Sequence, residues 1–335
     1  MLLSFVIPAY NCSSFIGDCL DSILRQGLQE ENYEVIVIDD GSTDNTTTIV
    51  SVYCERYPNI KLFSQSHSGV GAARNKGLMH AQGQYVHFMD ADDRLLPGGM
   101  GNLFNNYVIP LGFPDVVSFW SRTVDKHYKN DEWDVIRPNS LIHHGDIKEY
   151  GLTHGIGFSV WTQLISRALI NNNNLRFSDH IIGEDMLFML HLYALRGVSL
   201  AVTNLNIYRY QVHENSAMNM TSKDYASTVL DSLMDLSDRI GELNGDYPEA
   251  ILESRQAMCR QWAYTRLCSA HLSYHEMQDC LNIAKERRFF NVSAASSRPD
   301  RIINIMVKST LLSYVFAYFY GNFFIPWIKP WIKRN

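Results

Sequence analysis

The sequence is poor in charge, and what charge it has leans acidic. Charged residues make up 19% of the chain, and 29 Lys and Arg face 35 Asp and Glu, a formal net charge of −6. A protein that grips nucleic acid is ordinarily basic over its contact face, so that class of partner is not expected. Cysteine is present but unpaired in pattern: Cys12, Cys19, Cys54, Cys259, Cys268 and Cys280 include no CxxC spacing and lie inside apolar stretches. They read as reduced core thiols of a cytosolic protein rather than disulfides or a thiolate metal site. The start, MLLSFVIPAYN, lacks a basic region and a small-residue cleavage site, which argues against a signal peptide. Internal repeats are absent. Hydrophobic content of 46% over 335 residues suffices for about two domains, or one α/β domain with an appendage, and is far too high for disorder.

What the first hundred residues contain is an alternation of periods. LLSFVIP, YEVIVID, IKLFS and QYVHFM are short apolar runs suited to strands covered on both faces. Between them, Phe15, Ile16, Cys19, Leu20, Ile23 and Leu24 recur with helical spacing, Ile49, Val50 and Tyr53 mark a second helix, and GVGAARNKGLMHAQ a third, closed by Gly83. This order predicts a parallel sheet with right-handed crossovers, whose ligands bind beyond the carboxyl ends of the strands. Farther on, DVVSFWSRTV reads as a strand, Trp161 as the opening of a helix, GEDMLFMLHLYAL as a helix and VSLAVTNLNIYRYQ as one or two strands. After HENS, near residue 216, the pattern turns helical: one helix carries Val229, Leu230, Leu233 and Met234. A second begins around Pro248 with Ile251, Leu252, Met258 and Trp262, and a third opens on the capping-box pair Ser273 and Glu276.

Acids stand where strands end. Asp90, Asp92 and Asp93 follow QYVHFM within four positions, and like charges this close repel unless something positive joins them. Asp90 and Asp92 are spaced i, i+2 around the small Ala91, so an extended chain points both the same way. Hard divalent cations take such oxygen ligands together with substrate phosphates. The alternative is a solvated turn. Asp39 and Asp40 end the second strand, where a carboxylate can accept from a base N–H or a ribose hydroxyl. Equally, Asp40 or Ser42 can cap the turn while Asp44 or Asn45 starts the next helix. Glu184 and Asp185 open a helix. The helix dipole would lower the pKa of Asp185 and its neighbour Glu184 would raise it, and a plain N-cap explains either residue alone.

Taken in order, FVIPAYN, VIVIDDGSTDNT, SGVGAARNKGL, YVHFMDADDRLLP, GEDMLF and YRYQVHENS resemble the landmarks of glycosyltransferase family 2, over roughly residues 3–216. The resemblance implies an α/β GT-A fold, a Rossmann-like, mostly parallel sheet flanked by helices, with residues 1–216 catalytic (1–100 nucleotide-binding, 101–216 acceptor-binding). Residues 217–335 would form an α-helical C-terminal region. It implies an inverting, metal-dependent transfer of a single sugar from a nucleoside-diphosphate sugar to a hydroxyl of a glycan or lipid-linked acceptor, in bacterial surface polysaccharide synthesis. On the matching positions, Pro8, Tyr10, Asp39 and Asp40 would hold the nucleoside and Arg74 the donor side. Asp90 and Asp92 would form the DxD motif, with Asp92 on Mg²⁺ or Mn²⁺ and Asp90 on the ribose or metal. Asp185, beside Glu184, would be the catalytic base, and His213 would lie near the diphosphate or metal.

The chain departs from some relatives. The QxxRW motif of processive members is absent, so one sugar is expected per encounter, and Gln163 stands where many members have lysine two residues after the tryptophan matched by Trp161. A sugar-nucleotide pyrophosphorylase would need a glycine-rich basic loop after the first strand, where PAYNCSS stands. In GVGAAR the third glycine of a dinucleotide fingerprint is missing. The non-enzymatic alternative is an inactive glycosyltransferase-like scaffold of a membrane assembly. From Ser309 to Ile328 no residue is charged, and aromatics mix there with Lys329, Lys333 and Arg334. Gly321, Asn322 and Pro326 interrupt any spanning helix. Residues 309–335 are expected either to touch the inner face of the plasma membrane peripherally or to pack on the protein or a second subunit.

Overall fold

The computed structural model describes residues 1–124, 141–157, 159–213, 222–291 and 298–320. The chain divides into two compact units, residues 1–179 with 184–213, and residues 180–183 with 214–335.

In the first unit β1 (Leu3–Ala9), α1 (Ile16–Leu24), β2 (Tyr33–Asp39), α2 (Thr46–Arg56), β3 (Ile60–Ser64), α3 (Val70–His80) and β4 (Tyr85–Phe88) alternate as the apolar runs require. Every residue of β2 and β4 is buried, and the face of α1 that turns inward carries Ile16, Cys19, Leu20 and Ile23. β1 pairs in parallel with β2 and β4, and β2 with β3, giving the order β3-β2-β1-β4. The remaining strands are β5 (Arg94–Leu95), β6 (Val116–Val124), β7 (Leu141–Asp146), β8 (Gln163–Ser166) and β9 (Ser199–Gln211). They extend the sheet as β4-β8-β6-β9-β5, with β7 also on β9. Here the pairing is mixed: β4 with β8, β6 with β8, β5 with β9 and β7 with β9 run antiparallel, and only β6 with β9 is parallel. The sheet is therefore mixed rather than mostly parallel. From β1 to β4 one α-helix joins each strand to the next, and helices recur later between β5 and β6, β7 and β8, and β8 and β9.

Two local expectations are corrected. Trp161 does not open a helix: it lies in a 3₁₀ turn, Val160–Thr162, that leads into β8. The helix that follows β8 begins at Arg167, where the Ser166 side chain accepts from Leu169 N. Gly83 does not close α3 either, because the helix ends at His80 and Ala81 leaves it in an extended conformation. Gly83 is needed for proximity, since a Cβ there would lie 2.5 Å from Ser4 N and 2.6 Å from Leu3 C in β1.

The second unit is helical. α8 (Lys223–Glu242) and α9 (Glu249–Ser269) pack on each other, α9 also meets α11 (Arg298–Met306) and α12 (Thr310–Phe319), and α10 (Tyr274–Glu286) meets α8 and α12. In chain order α4–α7 are Gly99–Leu103, Ile147–His154, Arg167–Asn172 and Glu184–Ala194, all in the first unit. Val229, Leu230, Leu233 and Met234 form the buried stripe of α8. Ser273 and Glu276 make the reciprocal capping box at the start of α10. On α9 the expected face is rotated: Met258 and Trp262 are half-buried, while Ala257, Cys259, Ala263, Tyr264 and Leu267 are buried. Residues 214–216 of HENS and the interruptions at Gly321, Asn322 and Pro326 lie outside the described residues.

Candidate active site

The carboxyl ends of β1, β2 and β4 lie side by side in the sheet, and most of the sequence-predicted residues sit at them. Tyr10 and Asn11 follow β1, Asp39 and Asp40 end β2, and Asp90 to Asp93 follow β4. This is the edge at which open α/β sheets bind ligands.

The tips of β1 and β2 are tied together. Asn11 adopts a left-handed φ of 47°, its N donates to Ser42 Oγ at 3.0 Å, and its Oδ1 accepts from Thr43 N at 2.8 Å. Asp44 accepts from Ser13 N and Thr46 N at 3.0 Å each, and although burial opposes its charge, these bonds and those of the hydroxyls hold its pKa at about 2. It is Asp44, not Asn45, whose side chain serves the start of α2. Asp40 is engaged: Oδ1 accepts from Gln65 Nε2 and Ser68 N at 2.8 Å, Oδ2 accepts from Gly69 N at 2.9 Å, and His67 Nδ1 lies 2.9 Å from Oδ2. Its geometry is that of a clamp on the loop before α3. Beside it Asp39 Oδ1 accepts from Ser42 N at 3.1 Å, and Pro8, partly exposed, faces Ile38 across the β1–β2 pair. Tyr10 is 47% exposed and stacks on His67 with ring centroids 4.2 Å apart, leaving an open aromatic face at the strand tips. The partnership of His67 and Gln65 with this edge was not foreseen, because nothing in the local sequence shows where residues 65–69 run.

The second group is electrostatic. Arg74 projects from α3 into a buried position, its Nη2 2.7 Å from Asp90 Oδ1 and its Nη1 2.5 Å from Glu184 Oε1, with its guanidinium carbon 5.2 Å from the centre of the Phe177 ring. Burial works against that charge, yet Asp90, Glu184 and Asp185 together raise its pKa. One cation thus joins the acidic cluster after β4 to the acidic start of α7, the positive partner that the carboxylates lacked in the sequence. Asp185 is the outlier. Burial, then the Glu184 charge, push its carboxyl up to about 8 against the lowering effect of Arg74, and Oδ1 accepts from Met186 N at 2.8 Å. The dipole of α7 does not win. A carboxyl poised near neutrality is what a general base needs.

The third group hangs from β9. Tyr208 Oη donates to Asp93 Oδ2 at 2.6 Å and accepts from Asp90 N at 3.2 Å. Gln211 N donates to Asp93 Oδ1 at 2.7 Å, and His213 Nε2 lies 2.6 Å from Asp92 Oδ2. The last residues of β9 therefore fasten the whole Asp90–Asp93 turn. Burial, then Asp90 and Asp92, push the Asp93 carboxyl well above the usual range, and burial with Asp90 raises Asp92. Phe15 packs against His213 at 4.5 Å, and Trp161 stacks on Tyr208 at 4.7 Å and on Tyr210 at 5.5 Å. Asp93 and Tyr208 were missed as site residues; the third acid of DADD was their one visible trace.

Among the described residues no three His, Cys, Asp or Glu side chains are grouped to hold a metal ion. Asp90 and Asp92 remain hard oxygen donors with side chains 27% and 32% exposed, which fits a Mg²⁺ or Mn²⁺ ion that takes most of its ligands from phosphate and water.

Residues 4–158 match the family model described as glycosyl transferase family 2. The chain carries a glycosyl transferase family 2 domain. It is similar to the uncharacterized glycosyltransferase YibD of Escherichia coli K12, 29% identical over 221 residues that cover 64% of this chain and 62% of the relative. It is also similar to the poly(ribitol-phosphate) beta-glucosyltransferase of Bacillus spizizenii, 29% identical over 221 residues, 63% of this chain and 32% of the relative. The chain thus spans less than two thirds of the length of these curated relatives. Among solved structures, S. aureus TarS 1–349 in complex with UDP-GlcNAc superposes with a TM-score of 0.64 at 20% identity, covering 95% of this chain and 89% of that one. That likeness gives the fold, the GT-A fold with a helical C-terminal region.

Proposed function

We propose that this family 2 chain is an inverting glycosyltransferase that moves one sugar from a nucleoside-diphosphate sugar to a hydroxyl of a glycan or lipid-linked acceptor, in the building of a surface polysaccharide. The observation that carries the reading is the bridge from Asp90 through Arg74 to Glu184, beside which Asp185 is held near neutrality. Its support from relatives is general: one of them is named for glucosylation of poly(ribitol-phosphate), and a TarS structure holds UDP-GlcNAc.

In this mechanism the exposed Tyr10 ring and the β1–β2 tip receive the nucleoside, and Asp90 and Asp92 face the diphosphate. Asp185 takes the proton from the acceptor hydroxyl as that oxygen attacks the anomeric carbon from the face opposite the leaving group, so the configuration inverts. A positioned base contributes about 10²–10⁴-fold. Arg74 keeps Asp90 and Glu184 apart in charge while holding them in one frame. A Mg²⁺ or Mn²⁺ ion, when bound at Asp90 and Asp92, supplies charge neutralisation for the departing diphosphate.

The test is incubation with a panel of nucleotide sugars and Mn²⁺, with and without chelator, on the native chain and on Asp185→Asn. Nucleoside diphosphate should appear only with one donor class, stop with chelator, and fall by about 10²–10⁴-fold in Asp185→Asn with donor binding retained. Transfer by Asp185→Asn at the native rate removes the base assignment, and a chain that binds donors yet releases nothing under any condition is the inactive scaffold instead.

A further inference from the structure

The end of the second unit is built polar-inward and apolar-outward. On α12 the buried residue is Ser313, fully buried, its Oγ donating to Met306 O at 2.9 Å and accepting from Tyr264 Oη at 3.4 Å. The residues turned to solvent include Leu311 at 61% exposure and Val315 at 43%. α11 shows the same inversion. Asp300 is fully buried, held by Arg260 Nε at 3.0 Å and Nη2 at 2.6 Å, while Ile302 and Ile305 are each 60% exposed. A surface helix of a water-soluble protein has the opposite pattern, because exposed aliphatic carbon is unfavourable by about 25 cal/mol for each Å² left in water.

From this arrangement, with the charge around it, we infer that α11 and α12 are the docking face for an anionic lipid surface. Residues 298–335 hold six Lys and Arg against the single acid Asp300, although the chain as a whole is −6. Asp300 is itself neutralised by Arg260. Basic residues flanking aliphatic and aromatic ones match an interface of negative headgroups over acyl chains. A second copy of this face would bring like charges together. The sequence beyond Tyr320, GNFFIPWIKPWIKRN, continues the same mixture.

The mode is in-plane. No single described helix is long and apolar enough to cross a membrane; α11 and α12 reach that length and composition only as a pair, and the pair is bent by 119°. The 10 residues of α12 extend about 15 Å, half the hydrocarbon thickness of about 30 Å. The inference does not depend on the sugar-transfer reading, since it concerns a separate unit and a different measurement.

The test uses the full chain and sedimentation with vesicles of phosphatidylcholine alone or mixed with phosphatidylglycerol. The native chain should bind the mixed vesicles and leave them as salt rises from about 0.1 M to about 1 M, where the Debye length falls from about 10 Å to about 3 Å. Leu311→Ser with Val315→Ser should weaken binding about tenfold or more. Both positions are exposed, so the thermal melt should not move. Binding to neither vesicle overturns the inference. So does equal binding to both, which leaves charge no part, or a dimer that the same two substitutions dissolve, which assigns the face to a second copy.

Discussion

At the scale of the residue, Asp185 is the group on which a measurement bears most directly. Its carboxyl sits at about 8 because burial and the Glu184 charge disfavour the anion, while Arg74 partly offsets them. A base must be deprotonated, so kcat/KM should rise with pH and level off above about 8 rather than near the ordinary carboxylate value. Arg74→Gln takes away the larger of its two lowering partners, Met186 N being the other, and should move that limb to higher pH, with a loss of stability from leaving Asp90 and Glu184 without their cation, on the order of 3–5 kcal/mol. A limb that stays in place in Arg74→Gln shows that some other group governs it. The sign for stability runs the other way. A folded-state pKa above the unfolded one means the native protein holds a proton the unfolded chain has released, so stability falls as pH climbs from the usual carboxylate range toward about 8. Asp185→Asn should remove that fall, and the pH dependence of the melting temperature checks it. The acids themselves were legible in the sequence, as strand ends and a helix start. Which cation answers them was not legible, since Arg74 lies far from both acidic groups in sequence, and neither was the pKa of Asp185, because burial belongs to the fold and not to the motif GED.

At the scale of the element, β9 carries the load that the motif reading gave to β4. Four contacts reach the Asp90–Asp93 turn from its end and just past it, two through Tyr208 and one each through Gln211 and His213. Tyr208→Phe keeps the ring and its stack on Trp161 but removes the hydroxyl that serves both Asp93 and Asp90 N. The cost should be about 1–3 kcal/mol of stability, the usual price of a buried polar group left short of a partner. Since the turn rather than the base is loosened, the donor KM should rise while the pH limb set by Asp185 stays put. A normal donor KM with only a lower melting temperature confines Tyr208 to structure. The pattern YRYQ identifies a strand from its alternation, yet a contact between residues 93 and 208 is beyond any local window. For the same reason Trp161 was misread: a stretch as short as QLIS, with only Leu164 and Ile165 apolar, fits a short buried strand or a helix start, and only pairing with β4 and β6 decides.

At the scale of the whole molecule, the early βα alternation made the parallel half of the sheet readable, since each crossover is local in sequence. The mixed half was not, because β9 pairs with β5, β6 and β7 across long separations. The cysteines offer a probe of how these parts hold together. All six are free, and five are buried, with Cys54 half-buried. Burial pushes the Cys12 thiol up to about 11 and the Cys259 and Cys268 thiols up to about 12, so none of these is a reactive thiolate near neutrality. In the native protein a thiol reagent should therefore modify Cys54 first and the others only when the structure opens. Cys12 and Cys19 belong to the first unit, Cys259, Cys268 and Cys280 to the second. Cores that open cooperatively release their thiols together, so mass-resolved labelling in mild denaturant should show two rates, one shared by each set. A single rate for all five would mean that the two units unfold as one, and rapid labelling of any buried thiol in buffer alone would contradict its place in the core.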